Sequence, residues 1–202
     1  MTTSTLVESA PAVPQALVAS PAPVSAPVGS EPVGSAPVGS APAFLRRVDS
    51  PIGRIEVTSD GLAITSLAIE KNGRLPHEEQ AENSNAVLET AAQQLLEYFA
   101  GARHDFDLPV ALPGTEFQRS VWDKLVDLEW REVVSYGELG LSTGRSTAGR
   151  AVGGAVGANP IPIIVPCHRV LASNNRITGY SAGEGVATKA WLLAHEGITH
   201  RV

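Results

Sequence analysis

Residues 146–171 read STAGRAVGGAVGANPIPIIVPCHRVL, a glycine-rich stretch that leads through an apolar run to the only cysteine of the chain. The spacing of small and apolar residues predicts a helix over 146–156. Three glycines lie inside it: Gly149, Gly153 and Gly154. Each costs about 1 kcal/mol relative to alanine in a helix, and close approach of another backbone is the usual reason for tolerating that cost. The segment therefore predicts a helix that another chain approaches closely.

The residues before this helix predict a partner for it. SYGELG at 135–140 can form a first helix, and LSTG at 141–144 a turn. Ser146 or Thr147 can cap the second helix. Two short helices joined by a glycine-containing turn are typical of a helix-turn-helix. Arg150 is the one long charged side chain on the second helix, and its ordinary interpretation is an exposed surface arginine.

The local sequence around Cys167 favours a reactive thiol. Residues 161–165 predict extended backbone, and Pro166 fits the first position of a helix, where its missing N–H is no loss. Cys167 would then lie in the first helical turn, where the helix dipole lowers the pKa of a thiol. A lone intracellular cysteine is more often a small buried hydrophobe, so this predicted geometry is what favours a nucleophile.

His168 is the nearest candidate base for that thiol. Neighbouring side chains point to opposite faces in a strand and diverge by about 100° at the start of a helix. A contact relayed by water is therefore favoured over a direct one. Covalent catalysis also needs a group that orients the base. Glu196, in LLAHEG, is one candidate, and spacing alone does not select it.

The first 42 residues have a composition that denies a packed core. They are rich in Ala, Pro, Ser, Val and Gly, and PVGSA or PVGSE recurs from Pro27, which predicts a disordered tail. The tail lacks the charge and apolar run of a signal peptide. Since no apolar stretch of about 18 residues exists, we expect no membrane span. One cysteine excludes an intramolecular disulfide and a cysteine-based zinc site. We therefore expect a soluble cytoplasmic protein that needs no metal and no other cofactor.

The remaining chain divides into two predicted domains, 43–114 and 115–202. The first is α/β: a hairpin over 50–70 turns at Asp60-Gly61, a helix runs from Asn85 to Gly101, and HDFDLPVAL suggests a further short strand. The second is mainly α. It opens with a possible capping box, Thr115 with Gln118, and ends with the helix VATKAWLLAHEG closed by Gly197.

Charge alone leaves the partner open. The formal charge is −6, which argues against nucleic acid. Residues 1–114 hold 6 Lys/Arg and 13 Asp/Glu, whereas residues 115–202 hold 9 and 8. The second domain is thus neutral overall, so it could contact phosphates locally without a strong basic field.

Five sequence blocks together resemble one family. The family is that of the O6-alkylguanine-DNA alkyltransferases, the methylated-DNA–protein-cysteine methyltransferases. The matching blocks follow one another in the family's order: SYGEL, GRAVGGAVGANP, IPIIVPCHRVL, GYS at 179–181 and WLLAHEG at 191–197. The resemblance covers about 117–197, and the first domain resembles the family in length and pattern. It implies a ribonuclease H-like N-terminal domain and a winged-helix-like C-terminal domain. The loop YSAGEGVATK at 180–189 is longer than the family's by a pair that is best assigned to Glu184 and Gly185.

The resemblance implies roles for five catalytic residues. Cys167 is the alkyl acceptor, His168 takes the thiol proton through a water, and Glu196 orients His168. Asn159 braces the turn that carries the cysteine, and Tyr136 donates a hydrogen bond to the guanine as negative charge develops.

The resemblance also implies a set of substrate and DNA contacts. Arg150 fills the space of the extruded nucleotide, Ser181 bonds near O6, and Tyr180 walls the pocket. Backbone groups around Cys167 and Val170 read the guanine edge. Gly153, Ser135 and Arg169 complete the set.

The partner so implied is double-stranded DNA carrying an alkylated guanine. The second helix would lie in the minor groove, where glycines permit close approach, and the damaged base would be flipped out. The alkyl group would stay on the cysteine as a thioether, so each monomer would act once. O4-alkylthymine is a second candidate substrate.

Three alternatives remain open at this point. The chain could bind alkylated DNA without transfer, although proteins of that kind lack the acceptor cysteine. It could be a Cys-His hydrolase, which would turn over and ignore DNA. It could be a structural DNA-binding module, in which replacing Cys167 with serine would change nothing.

Overall fold

A three-stranded antiparallel sheet forms the first part of the computed structural model, which describes residues 41–144 and 149–202. Its order is β1 (Phe44–Val48), β2 (Ile55–Ser59), β3 (Ile64–Ile69). Asp60 stabilises the β2–β3 turn because its carboxylate accepts two backbone N–H groups. The predicted hairpin is therefore confirmed, whereas β1 was not predicted.

Helix α1 (Ala86–Phe99) packs on this sheet. Asn85 caps it, and Gly101 follows it with a positive φ of 72°, so the predicted helix is confirmed. The predicted strand over 104–112 is wrong: the segment makes one isolated bridge, from Val110 to Ile64. Pro109 has no N–H to donate to a regular ladder, which limits the pairing to a short contact.

Short helices make up most of the second part. The elements are α2 (Glu116–Val126), β4 (Val134–Ser135), α3 (Tyr136–Ser142), α4 (Gly149–Gly157), a 3₁₀ turn (Cys167–Arg169), β5 (Val170–Leu171) and α5 (Val186–His195). The capping box of Thr115 and Gln118 is present, and β4 pairs with β5 in parallel. The caps proposed for α4, Ser146 and Thr147, lie outside the described residues.

Residues 161–165 form a tight turn, so the predicted extended run is wrong. The N–H of Val165 donates to the carbonyl of Ile161 at 2.9 Å, and Ile163 has a φ of 75°, which is unusual for a β-branched residue. The Asn159 side chain spans the turn, since its amide donates to Val165 and its oxygen accepts from Ile161. These side-chain bonds offset the cost of the turn.

The two parts share one hydrophobic core and belong to a single compact unit, Gly39–Val202. Leu67 on β3 donates its N–H to the carbonyl of Pro160 at 2.9 Å. Within the second part, the indole of Trp122 donates to the carbonyl of Ala155 on α4. Among the described residues, no helix has the length and apolar character needed to cross a membrane.

Candidate active site

A cavity of about 540 Å³ lies between α3, α4 and the segment that precedes α5. Its lining includes six of the catalytic and substrate-contact residues predicted from the sequence: Tyr136, Arg150, Gly153, Cys167, Tyr180 and Ser181. The same lining includes Lys189, which sequence reasoning missed. The helix-derived and loop-derived candidates therefore meet around one space, with the thiol among them.

Cys167 is buried, with 3% of its surface exposed. Burial raises the pKa of its thiol, and the Asn159 amide, the Tyr180 hydroxyl and the charge of Lys189 act in the opposite direction. The expected stabilisation by a helix dipole is wrong. The 3₁₀ turn has three residues, and Pro166 is its N-cap rather than its first residue, so few peptide dipoles align behind the sulfur.

His168 is completely buried and is held on one side only. Its Nε2 lies 2.8 Å from Oε1 of Glu196, and among the described residues its Nδ1 has no hydrogen-bond partner. Burial lowers the pKa of His168, although the Glu196 carboxylate opposes the shift. Because an ionised carboxylate only accepts, Nε2 carries the proton and Nδ1 keeps a lone pair.

Glu196 is a buried carboxylate with several donors. Oε1 accepts from His168, from the Tyr98 hydroxyl at 2.9 Å and from Nη2 of Arg169 at 3.1 Å, and Oε2 accepts from Nε of Arg169 at 2.7 Å. Burial alone would raise the pKa of Glu196, but His168 and Arg169 outweigh it and bring the pKa to about 2. The carboxylate is therefore ionised and fixed in orientation.

Arg169 does not fit the predicted DNA contact. It is 5% exposed, and besides Glu196 its guanidinium bonds the carbonyls of Leu128 and Glu129. An arginine whose donors are bound inside the protein is not available to a phosphate or a base. Its place in this structure is to neutralise and hold Glu196.

Val170 and Ser135 are also engaged within the protein. The Val170 carbonyl accepts from Nζ of Lys189 at 2.6 Å, and its N–H donates to the carbonyl of Cys167. Ser135 caps α3, with its hydroxyl accepting the N–H of Glu138. Neither residue is in the cavity lining, and the expectation that the backbone of Val170 reads guanine stays a prediction, since its carbonyl keeps a second lone pair.

The mouth of the cavity is built from exposed residues. Arg150 and Gly149 are exposed on α4, and Gly153 is half-buried. A methyl group added to Gly153 would lie 4.0 Å from the Tyr136 ring, its nearest neighbour. A methyl group on Gly149, Gly154 or Gly157 would meet no described atom within 4 Å. Packing among the described residues therefore does not explain the glycines of α4.

Sequence reasoning missed two residues: Lys189, which lines the cavity, and Tyr98, which bonds Glu196. Lys189 is 1% exposed; its ammonium bonds the carbonyls of Val170 and Gly179, and burial lowers its pKa to about 8. Lys189 lies three residues before Leu192 and seven before Glu196, the C-cap of α5, and this helical spacing was the available signal. Tyr98 gave no comparable signal, because its partner Glu196 lies 98 residues away.

In 41–144 and 149–202, no group of three or more His, Cys, Asp or Glu is placed to hold a metal ion. The chemistry that the described side chains offer is nucleophilic. A buried thiol faces a cavity, a neutral imidazole has a free nitrogen, and a fixed carboxylate orients the imidazole. The cavity is large enough for a small organic group or a single base.

Two family models match the chain. Residues 45–112 match the model described as 6-O-methylguanine DNA methyltransferase, ribonuclease-like domain, and residues 116–198 match the one described as 6-O-methylguanine DNA methyltransferase, DNA binding domain. The two matches together span most of the chain, and only residues 113–115 lie between them. The ribonuclease-like match covers the sheet and α1, and the DNA-binding match covers the cavity.

Curated relatives and solved structures agree with these matches. The methylated-DNA–protein-cysteine methyltransferase of Mycobacterium tuberculosis (strain H37Rv) is 40% identical over 75% of this chain and 90% of its own. The constitutive methylated-DNA–protein-cysteine methyltransferase of Bacillus subtilis is 38% identical over 76% and 94%. The structure of M. tuberculosis OGT in complex with DNA has a TM-score of 0.68 at 39% identity, and covers 76% of this chain and 92% of its own.

Proposed function

Because the chain belongs to the 6-O-methylguanine DNA methyltransferase family, we propose that it repairs DNA by moving the alkyl group of O6-alkylguanine onto its own Cys167. One observation carries the proposal: the buried thiol lines a cavity, and the next residue is a histidine with one nitrogen tied to an ionised carboxylate and the other unpaired. A hydrolase could use the same pair. The family and the α4 surface favour DNA.

The first step is removal of the thiol proton. Nδ1 of His168 has the lone pair to accept it, and adjacent residues at a helix start diverge, so a bridging water is the route that fits. The resulting imidazolium is stabilised by Glu196, which stays ionised because Arg169 neutralises part of its charge. Proton transfer thus uses groups that are fixed before the substrate binds.

The thiolate itself needs support, because burial raises the pKa of Cys167. Lys189 supplies a positive charge beside the sulfur, and the Tyr180 hydroxyl lies close enough to lower the thiol pKa without making a regular hydrogen bond. We include both residues in the site. Asn159 adds a donor and holds the turn that carries Cys167.

In the transfer step, sulfur attacks the alkyl carbon, a C–S bond forms and the C–O6 bond breaks. The electron pair of that bond passes to the guanine, whose ring nitrogen gains one proton. That proton balances the one that the thiol gave up to His168, so the imidazole ends neutral. Tyr136 at the start of α3 lines the cavity and supports the leaving guanine as a donor. Ser181 lines the cavity, and in our proposal its hydroxyl bonds near O6, for which it would have to rotate away from the carbonyl of Gly157, to which it donates at 2.9 Å.

DNA binds across α3 and α4, which we propose act as a helix-turn-helix. The exposed glycines of α4 leave room for a partner to approach the helix backbone, which fits a helix lying in the narrow minor groove. Arg150, exposed at the cavity mouth, occupies the space of the flipped nucleotide. A monomer suffices, since thiol, base and arginine come from one chain.

The stability of the product makes the reaction a single event. The product is a thioether, which water does not cleave, whereas a thioester on the same sulfur would be hydrolysed. The protein is therefore consumed one molecule per lesion. The alternative of a protein that binds the lesion without transferring the alkyl group is disfavoured, because Cys167 lines the cavity and His168 is available as its general base.

The test is to mix the protein with duplex DNA that contains one O6-methylguanine and to measure intact and peptide masses. We expect one added methyl group, confined to the peptide with Cys167, and no further reaction when fresh substrate is added. Cys167→Ser should bind the duplex and gain no mass. Methylation of another residue, or repeated turnover, contradicts the proposal. A parallel duplex with O4-methylthymine tests the second substrate.

A further inference from the structure

Three residues, 181–183, separate the candidate active site from a second cavity of about 500 Å³, and we name them the partition. Ser181 and Gly157 line both cavities. On its far side the second cavity is lined by β3 and the segment after it, including Leu67, Ile69, Lys71, Arg74 and Leu75. The partition thus has the reactive site on one side and unfilled space on the other.

The partition is fixed at both ends. At one end, the Ser181 hydroxyl donates to the carbonyl of Gly157. At the other, Gly183 is buried with a φ of +52°, and a methyl group there would lie 2.6 Å from Oγ1 of Thr188 and 3.0 Å from the Ile69 side chain. Only glycine fits this contact with β3.

Glu184, directly after the partition, ties it to the N-terminal sheet. Its Oε1 accepts the backbone N–H of Asn72 at 2.6 Å, and its own N–H donates to Oγ1 of Thr188 at 2.9 Å. Asn72 lies in the turn between Lys71 and Arg74, with a φ of 51°. The family resemblance assigns Glu184 to the pair of residues by which this loop is expected to exceed the family's length.

We propose that the contact between Glu184 and Asn72 limits the size of the O6 substituent that the site accepts. The inference rests on the proposed function. A substituent on O6 must face the sulfur of Cys167, so a group larger than methyl needs space beside it. Tyr180 and Ser181 line that region, and the chain continues from them into the partition. Without the Glu184 carboxylate, the Gly183 end is held only by packing and by the backbone bond to Thr188, so this end of the partition can shift towards the second cavity.

The test compares single-turnover rate constants for two duplexes, one with O6-methylguanine and one with O6-benzylguanine. Glu184→Ala removes the acceptor of this solvent-exposed hydrogen bond and should raise the benzyl-to-methyl ratio about three- to tenfold, the range of one typical net hydrogen bond. Methyl transfer should change by less than about twofold, because Glu184 touches neither the thiol nor its base.

Two matched variants should leave the ratio near that of the unmodified protein. Glu184→Gln keeps an oxygen that accepts from Asn72, and Asn72→Gly keeps the N–H and the left-handed backbone. An unchanged ratio in Glu184→Ala, or a Glu184→Gln ratio equal to that of Glu184→Ala, overturns the inference while methyl transfer stands. Failure of methyl transfer in the unmodified protein overturns the proposed function itself, and this inference with it.

Discussion

The inner end of the cavity, which we define as Cys167 with His168, Arg169 and Glu196 behind it, holds buried polar groups with several partners. The mouth, formed by α4, presents exposed groups. Glu196 receives four hydrogen bonds from three side chains, whereas Arg150 lies exposed on α4. The difference reflects two tasks. Proton transfer gains from groups oriented in advance, while recognition depends on contacts that a partner completes.

Substitutions at the two ends should also affect different properties of the protein. A change at the inner end removes a group from a low-dielectric network, where an unpaired charge or donor is costly. A change at the mouth removes only contacts with DNA. Inner-end variants should therefore lose chemistry, stability or both, and mouth variants should lose reaction with duplex DNA alone.

The largest effect should come from His168→Gln, which removes the free ring nitrogen. We expect the methyl-transfer rate constant to fall at least about 100-fold, the typical contribution of a general base. The matched control is His195→Gln. His195 stacks on Trp191 and bonds the carbonyl of Tyr98 outside the cavity, so its variant should keep the rate. Equal losses in both variants would show that His168 acts through folding.

Acid should weaken the inner end through Glu196. Its pKa is about 2 in the folded protein against an ordinary 4.5, so the stabilisation is present above pH 4.5 and lost as the pH falls towards 2. The shift corresponds to about 3 kcal/mol. Because pH 3 lies about 1.5 units below the ordinary pKa, about 2 kcal/mol of this stabilisation is lost there. Urea unfolding of the unmodified protein and of Glu196→Gln at pH 7 and pH 3 measures it. The destabilisation caused by Glu196→Gln should shrink as the pH falls, and a constant difference would contradict the assignment.

Part of this comparison could be predicted from the sequence. The β2–β3 hairpin followed from alternation around Asp60-Gly61, and α5 from its apolar spacing and Gly197, since both signals are local. Cys167 and His168 stood out as neighbours. The selection of Glu196 required the family resemblance, because nothing in the spacing reveals which carboxylate folds back on a given histidine.

Other features could not be predicted, because they depend on contacts between distant segments. The tight turn at 161–165 replaces an extended run because the Asn159 side chain bonds both of its ends. In the sequence, Arg169 lies close to a reactive cysteine and was therefore predicted to contact DNA. The structure shows instead that it binds Glu196. Helix dipole reasoning for Cys167 failed because the helix is a single short turn.

At the mouth, Arg150→Ala should slow repair of a duplex about tenfold, because the flipped state loses the side chain that we propose fills the vacated space. The guanidinium has no role in the chemistry itself. Reaction with free O6-benzylguanine base, which requires no base flipping, should change by less than about twofold. The ratio of the two rates is the measurement. If both reactions slow equally, Arg150 supports the chemistry itself, and the division between the inner end and the mouth is wrong.

The glycines of α4 provide a finer test of the mouth. Gly153→Ala and Gly154→Ala should each stabilise the helix by up to about 1 kcal/mol, since neither methyl group meets a close described atom. Gly153 lines the cavity and Gly154 does not, so only Gly153→Ala should slow duplex repair, by several-fold. Thermal unfolding of the two variants measures the effect on helix stability, and their duplex repair rates measure the effect on DNA binding at the cavity.

The smallest effect should come from Tyr98→Phe, although this residue touches the catalytic carboxylate. The tyrosine hydroxyl, donated from α1, is one of four hydrogen bonds on Glu196, and the bonds from His168 and Arg169 remain without it. We expect a stability loss of about 1–2 kcal/mol and a transfer rate constant within about fivefold of the unmodified protein. Urea unfolding and single-turnover transfer provide the two numbers. A loss as large as that of His168→Gln would mean that the sheet-bearing part of the chain orients Glu196, and that the inner end is held by one bond rather than by four.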